Sequence, residues 1–455
     1  MRPIRRQIQG QGETQGRKII EPGSAAALSP RTDPPRADAA RWRRWWLLAV
    51  GGGAAWRLGV LVVDRWSRPL LLNDSLYYSA QAIQLADGVF YREVFVDQPG
   101  AEHGPLTSTV LALVSWVDAP TPWQRLVTVV FGIATVALVG LLARAVAGDR
   151  AGLVATAIAA VYPNLWMNDG LVMSESLSLL LVTAILLVAV RATAPPTTRT
   201  AVALGVLTGL AALSRSELVL FVPGLALLLW RASRRDAEED ARHAARLVVG
   251  PALLIGTAVL VMAPWVIFNL ARFERPVTLT TNDGTTLLGS YCDETFSGDH
   301  KGGWSLSCVV NDPLYRVDEE PSVRSARQRT LAREYATDHL GELPGVVVAR
   351  LARSLDLYDL GNLVHQDVGE ERYRWAAWAG IVSWWALAPL AVIGFLRSPW
   401  RFRPLLALPA VTVTLVTAVF YGAHRIRSPL EPVVVVLAAI SIVSLCERRR
   451  AKVST

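Results

Sequence analysis

The chain has 455 residues, a mean hydropathy of +0.32 and only 18% charged residues, where soluble domains carry about 25%. Its net charge of +8 comes without a basic face interleaved with aromatics on a soluble module, which excludes a nucleic-acid-binding protein. Several apolar runs approach or exceed the roughly 18–20 residues that cross a bilayer, so the chain reads as a polytopic membrane protein, and its 16 Trp suit the aromatic belts at membrane surfaces.

Residues 1–41 are rich in Arg, Pro, Gln and Gly and are expected to form a disordered cytoplasmic N-terminus. They are too polar ahead of the first apolar run for a secretory signal peptide. Arg41-Trp42-Arg43-Arg44-Trp45-Trp46 reads as a cytoplasmic anchor. A first span from about Trp45 to Val63 then leaves the cytoplasm by the positive-inside rule. The first extracytoplasmic loop covers 64–121, inside an N-terminal transmembrane catalytic module of 42–271.

Asn73-Asp74-Ser75 stands at the head of a periodic segment running to Ala86. A carboxylate at the mouth of a membrane bundle is unfavourable unless solvated or paired, so Asp74 reads as a catalytic base. The competing reading is that Asn73 or Asp74 only caps the helix. Glu102-His103-Gly104-Pro105-Leu106 opens the next apolar segment. His103 suits a phosphate oxygen or a metal, or else a structural hydrogen bond. Segment 105–118 must dip in and return, or lie along the surface. Otherwise the Arg-rich loops do not all fall on the cytoplasmic side.

Further spans are expected at about 124–146, 151–163, 172–190, 201–214, 217–230, 249–270, 375–396, 404–421 and 429–446. With the first they make about ten crossings, with both termini cytoplasmic and a tail over 447–455. Glu175 opens one of these spans, where a helix N-terminus favours a carboxylate in any case. As a site residue it would orient the acceptor or bind a metal. Arg215, in Leu213-Ser214-Arg215-Ser216-Glu217, sits in a tight break and reads as a phosphate ligand or as an ion pair with Glu217.

Residues 272–374 form the one sizeable polar region. It is expected to start with a strand-like Val277–Thr281, to turn at Asn282-Asp283-Gly284, and to build a small α-rich extracytoplasmic cap. Cys292 and Cys308 lie in it beside Gly298, Gly302 and Gly303. They read as a disulfide if the loop faces an oxidising compartment, and their spacing fits no zinc motif. Cys446, at the end of the last span of the C-terminal transmembrane segment 375–446, reads as a buried thiol. His424-Arg425-Ile426-Arg427-Ser428-Pro429 puts two guanidiniums at the outer end of a span. That is the side the positive-inside rule disfavours, so Arg425 and Arg427 read as phosphate ligands rather than as snorkelling anchors.

Taken together these residues resemble the C-type glycosyltransferases (the GT-C superfamily), in the branch of the protein O-mannosyltransferases and the lipid A aminoarabinose transferase. The matching residues are Asp74 with Tyr77 and Tyr78, Gly88 to Tyr91, His103-Gly104-Pro105-Leu106, Met173-Ser174-Glu175, Gly209 to Arg215, Pro264-Trp265 to Asn269, Pro276 to Gly284, and Arg425 to Pro432. The resemblance is collinear over about 45–446. It implies an all-α, GT-C-like bundle with juxtamembrane helices, a polyprenyl-phosphate-linked sugar donor, inversion, and an active site on the extracytoplasmic side of the cell membrane. Asp74 and Glu175 are then the catalytic residues. His103, Arg215, Arg425 and Arg427 bind the donor phosphate, and a divalent metal is optional. Two other classes remain open, a multi-pass transporter or lipid flippase and a non-catalytic subunit of an envelope glycan assembly complex.

Overall fold

The computed structural model describes residues 36–453, except 72, 193–196, 238–245, 299, 315 and 317. Most of the expected disordered stretch 1–41 lies outside them. The first helix, Arg36–Val60, already begins within that stretch, where Ala39, Ala40 and Arg41 are strong helix formers.

Trp42 to Thr455 is one compact unit, and its described residues form helices joined by loops. Among the described residues the one β-type pairing is an isolated bridge between Arg92 and Pro99. The strand-like Val277–Thr281 is a loop, and the turn expected at Asn282 is the start of a helix, Asn282–Leu288. Alternation over five residues is too short to prevail when no neighbouring strand is there to pair with.

Among the described residues, six helices are long and apolar enough to cross a membrane: Ala39–Arg65, Thr121–Ala147, Ser216–Arg234, Val248–Arg272, Arg374–Arg397 and His424–Arg449. Thr198–Ser214 and Arg403–Val419 are shorter apolar helices. The expected spans 151–163 and 172–190 are the helices Asp149–Val161 and Glu175–Arg191. The chain is thus an all-α polytopic membrane protein. Pro105–Ala112 has eight residues, a length of about 12 Å, and cannot cross a core about 30 Å thick.

Small residues set the closest helix contacts. Gly205 and Gly209 lie four apart, and a methyl group on either would strike the Val248–Arg272 segment, at the Leu254 carbonyl and at Val261. This is the small-xxx-small pattern that lets membrane helices approach without a hydrophobic driving force. The main apolar core runs through Val139, Leu142, Val182, Ile185, Leu204, Phe221 and Val435. It knits the helices between Thr121 and Ala237 to the last one.

The polar region is α-rich as expected, with helices Asn282–Leu288, Asp293–Phe296, Ser307–Val310, Pro321–Asp338, Leu343–Ser354 and Leu360–Gly369. Glu320 caps the longest of these by accepting from the Ser322 and Val323 amides at 3.0 and 3.1 Å. Cys292 and Cys308 are joined in a disulfide. Arg350 fastens this cap to the bundle by donating to the carbonyls of Ala418 and Val419 at 2.9 and 3.0 Å. Cys446 is exposed, not buried. The last helix continues past it to Val453, and its residues 445–449 are exposed.

Candidate functional site

At the cap end of the bundle lies a cavity of about 370 Å³. Its charged wall holds Asp74, Glu102, His103, Arg215, Glu217 and Arg425. Val219, Leu220, Val416 and Phe420 form an apolar wall, and the cap contributes Thr280, Asn282, Asp283 and Thr286.

Asp74 is the first residue of the helix Asp74–Ala86, and the preceding Asn73 does the capping: its Oδ1 accepts from the Ser75 amide at 2.8 Å. The two readings of this stretch are thus divided between neighbours, leaving the Asp74 carboxylate to other partners. Arg425 Nη2 donates to Asp74 Oδ2 at 2.6 Å, and His103 Nε2 lies 3.6 Å from Oδ1. Burial alone would raise this carboxyl, but Arg425 and His103 outweigh it and hold it far below the usual carboxylate range.

His103 is held by its rings and by the chain around it. It stacks on Tyr78 at 4.7 Å and meets the edge of Tyr77 at 5.2 Å. Gly104 follows, pressed so close to the Leu213 carbonyl that a methyl group would come within 2.4 Å. His103 Nε2 is buried with no hydrogen bond. Burial disfavours the imidazolium, yet Asp74 and Glu102 prevail and raise its pKa above 6.5. Burial raises the Glu102 carboxyl in turn.

Glu175, 1% exposed at the head of its helix, accepts from Arg215 Nη1 at 2.8 Å and faces Arg425 Nε at 3.3 Å. Arg215 also donates through Nε to Glu217 at 2.6 Å. The ion pair with Glu217 is therefore present, and it is one link in a longer chain that reaches Arg425. The third partner of Arg425 is Glu370, at 3.2 Å. Sequence reasoning missed Glu370, which sits in a polar run of Asp and Glu with no hydrophobic contrast to mark it.

Arg427 does not line the cavity. It donates to Glu431 and to the Ser354 carbonyl at 2.7 and 2.8 Å, pairs with Asp356 at 2.8 Å, and covers the Trp384 ring at 3.9 Å. The reason is local. His424–Arg427 is a helical turn, and residues two apart on a helix point about 200° apart. Arg425 faces the cavity, so Arg427 faces the bundle. His424 beside them lies 2.6 Å from Asp367 and 2.7 Å from Asp356. Burial would raise Asp367, but His424 and Arg372 pull it down to about 2.

The donor set does not suit a divalent cation. Among the described residues no group of three or more His, Cys, Asp or Glu side chains is gathered to hold one. One oxygen of Asp74 and one of Glu175 face the Arg425 guanidinium.

Known proteins match this arrangement in fold. Residues 102–268 match the family model described as dolichyl-phosphate-mannose-protein mannosyltransferase. The archaeal oligosaccharyltransferase AglB from Archaeoglobus fulgidus, in complex with an inhibitory peptide and a dolichol-phosphate, aligns at a TM-score of 0.55 and 14% identity, over 90% of this chain and 51% of that one. The apo form of the Archaeoglobus fulgidus enzyme aligns at 0.55 and 13%, over 90% and 51%, and its complex with Zn and sulfate at 0.55 and 14%, over 90% and 50%. The chain spans about half the length of the solved structures it matches. No curated protein sequence matches it. The resemblance to the GT-C glycosyltransferases read from the sequence therefore holds, in the family model and in the fold.

Proposed function

We propose that this chain is an inverting glycosyltransferase that moves a sugar from a polyprenyl-phosphate donor to an acceptor hydroxyl on a glycan, lipid or protein. The observation that carries the reading is the meeting of Asp74, His103, Arg215 and Arg425 on one cavity that also has an apolar wall. The fold match to a protein solved with a dolichol-phosphate and the partial mannosyltransferase match support the same class.

In this reading the prenyl chain lies along Val219, Leu220, Val416 and Phe420, with its phosphate toward Arg215, Arg425 and the unbonded Nε2 of His103. The acceptor oxygen bonds to the anomeric carbon as the bond from that carbon to the phosphate oxygen breaks. The acceptor proton goes to Asp74, and the electron pair leaves with the phosphate. One displacement inverts the centre, so one base is enough. Preorganised cations favour the transition state because the phosphate charge grows there. The same guanidinium links the two events. An arriving phosphate shares Arg425 with Asp74, which loosens its hold on the carboxylate and raises the proton affinity of the base. Glu175 keeps Arg215 and Arg425 in place. No step uses a metal, since the donor set does not suit one.

By the distribution of Arg, the cavity and the cap over 272–374 lie on the extracytoplasmic face of the plasma membrane, with both termini inside. The catalytic module is 42–271, with helices over 375–446 closing it.

The test is sugar transfer from polyprenyl-phosphate donors in membranes holding folded wild type or Asp74→Asn. Loss of transfer in the variant alone supports the reading. Equal transfer by both removes Asp74 from the chemistry. No transfer by wild type across the donor set favours a transporter or an assembly subunit.

A further inference from the structure

Each nitrogen of the Arg425 guanidinium meets a different carboxylate. Nη2 is 2.6 Å from Asp74, Nη1 is 3.2 Å from Glu370 and Nε is 3.3 Å from Glu175. The three acids come from distant parts of the chain: the head of the helix Asp74–Ala86, the head of Glu175–Arg191, and the residue just past Leu360–Gly369. Carboxylate oxygens converging from several segments are the surroundings a hard divalent cation such as Mn²⁺ takes. Here the point of convergence is a planar side chain that keeps its charge at any physiological pH.

We infer that the Arg425 guanidinium stands in the place of a divalent cation, so that the positive charge facing the donor phosphate is built into the last membrane helix and needs no metal.

Four features of the site argue for this. A divalent ion entering the cluster would meet the guanidinium, and like charges a few ångströms apart repel. Arg215 takes up a further share of the Glu175 charge at 2.8 Å. Among the three acids around Arg425, the one buried oxygen left without a hydrogen bond, Glu175 Oε2, is a single ligand where such cations take about six. Finally, a guanidinium carries five N–H donors, more than three carboxylates consume, and Arg425 lines the cavity.

The catalytic half of this inference rests on the transferase reading, while the cation-binding half is measured without it. Purified full-length protein is titrated with Mn²⁺, and free Mn²⁺ is followed by electron paramagnetic resonance. Wild type is expected to take up no stoichiometric Mn²⁺, and its transfer activity to be unchanged by EDTA. Arg425→Ala exposes the three carboxylates to one another and is expected to bind Mn²⁺ about tenfold or more tightly than wild type. Arg425→Lys, which keeps a cation there, should bind no more than wild type. A wild type that binds one Mn²⁺ and loses it on Glu175→Gln overturns the inference. So does transfer that EDTA abolishes and Mn²⁺ restores, or a folded Arg425→Ala that gains no Mn²⁺. If the alanine variant does not fold, the wild-type and lysine titrations decide. If no transfer is found with any donor, the Mn²⁺ titration still decides, so the two proposals fail separately.

Discussion

Two ionic clusters grow from one helical turn, His424–Arg427, and they differ in what lies beside them. Around Arg425 the acids Asp74, Glu175 and Glu370 border a cavity. Around Arg427 the acids Asp356 and Glu431 are buried, with Trp384 over the guanidinium. Residue type and burial do not separate a site from a scaffold here. The separation comes from unfilled space: the Arg425 cluster borders the cavity and Arg427 does not line it, although each cluster holds a buried polar atom without a hydrogen bond, His103 Nε2 in one and Arg427 Nη2 in the other. Breaking a buried ion pair costs about 3–5 kcal/mol wherever it lies, but only beside a cavity can a substrate take over one of the partners.

Substitutions can break this comparison. The largest effect is expected for Asp74→Asn, a loss of about 10²–10⁴-fold in transfer with the fold retained, since Asn73 supplies the cap. Arg427→Ala should do the reverse. It leaves Asp356 and Glu431 buried without their guanidinium and lowers stability by about 3–5 kcal/mol, while activity per folded molecule stays near wild type. Thermal unfolding in detergent, read beside specific activity, separates the two. If Arg427→Ala abolished transfer in a stably folded protein, the scaffold assignment would be wrong.

Removing the disulfide by Cys292→Ala with Cys308→Ala opens a loop of sequence separation 16 and should destabilise the cap by ~3 kcal/mol. Limited proteolysis of the 272–374 region reads this directly, and an unchanged cleavage rate would show that the cap is held by its packing.

The smallest effect is a pH dependence. The folded His103 pKa is raised above 6.5. Its imidazolium therefore contributes stability and, in the proposed function, phosphate affinity that are fully present below pH 6.5 and are lost as pH rises through the folded value. The KM for the donor should rise on the alkaline side. His103→Gln should flatten that limb and weaken donor binding by roughly 1.5–3 kcal/mol, the usual range for a hydrogen bond to a charged group. A limb that persists in the variant assigns the titration to another group.

How much of this was legible in the sequence differs from residue to residue. Asp74, His103, Arg215 and Arg425 stood out because each is a charged or titratable group at the edge of an apolar run, where such a group is rare. Their meeting is a tertiary fact that spacing alone cannot give. Arg427 was misplaced because Arg425-Ile426-Arg427 was read as a loop. Once that stretch is a helical turn, the two guanidiniums must diverge. Glu370 was missed because an acid among acids carries no contrast. Val277–Thr281 looked like a strand because alternation was weighed without asking what it would pair with. The helical bundle itself was readable from hydropathy, as bilayer physics leaves few alternatives.

The pair Asp74–Arg425 spans 351 positions of sequence. At about 5–20 residues per second, ribosomal synthesis presents the acid roughly 20–70 seconds before its partner exists. Throughout that interval the carboxylate sits beside a half-built membrane domain, without the cation that later holds it. The helical turn His424–Arg427 thus completes the centre. A chain stopped short of Arg425 holds the acid and the histidine but not the cation that joins them. Insertion of the helix that begins at His424 is then the step that closes the ionic cluster at the cavity.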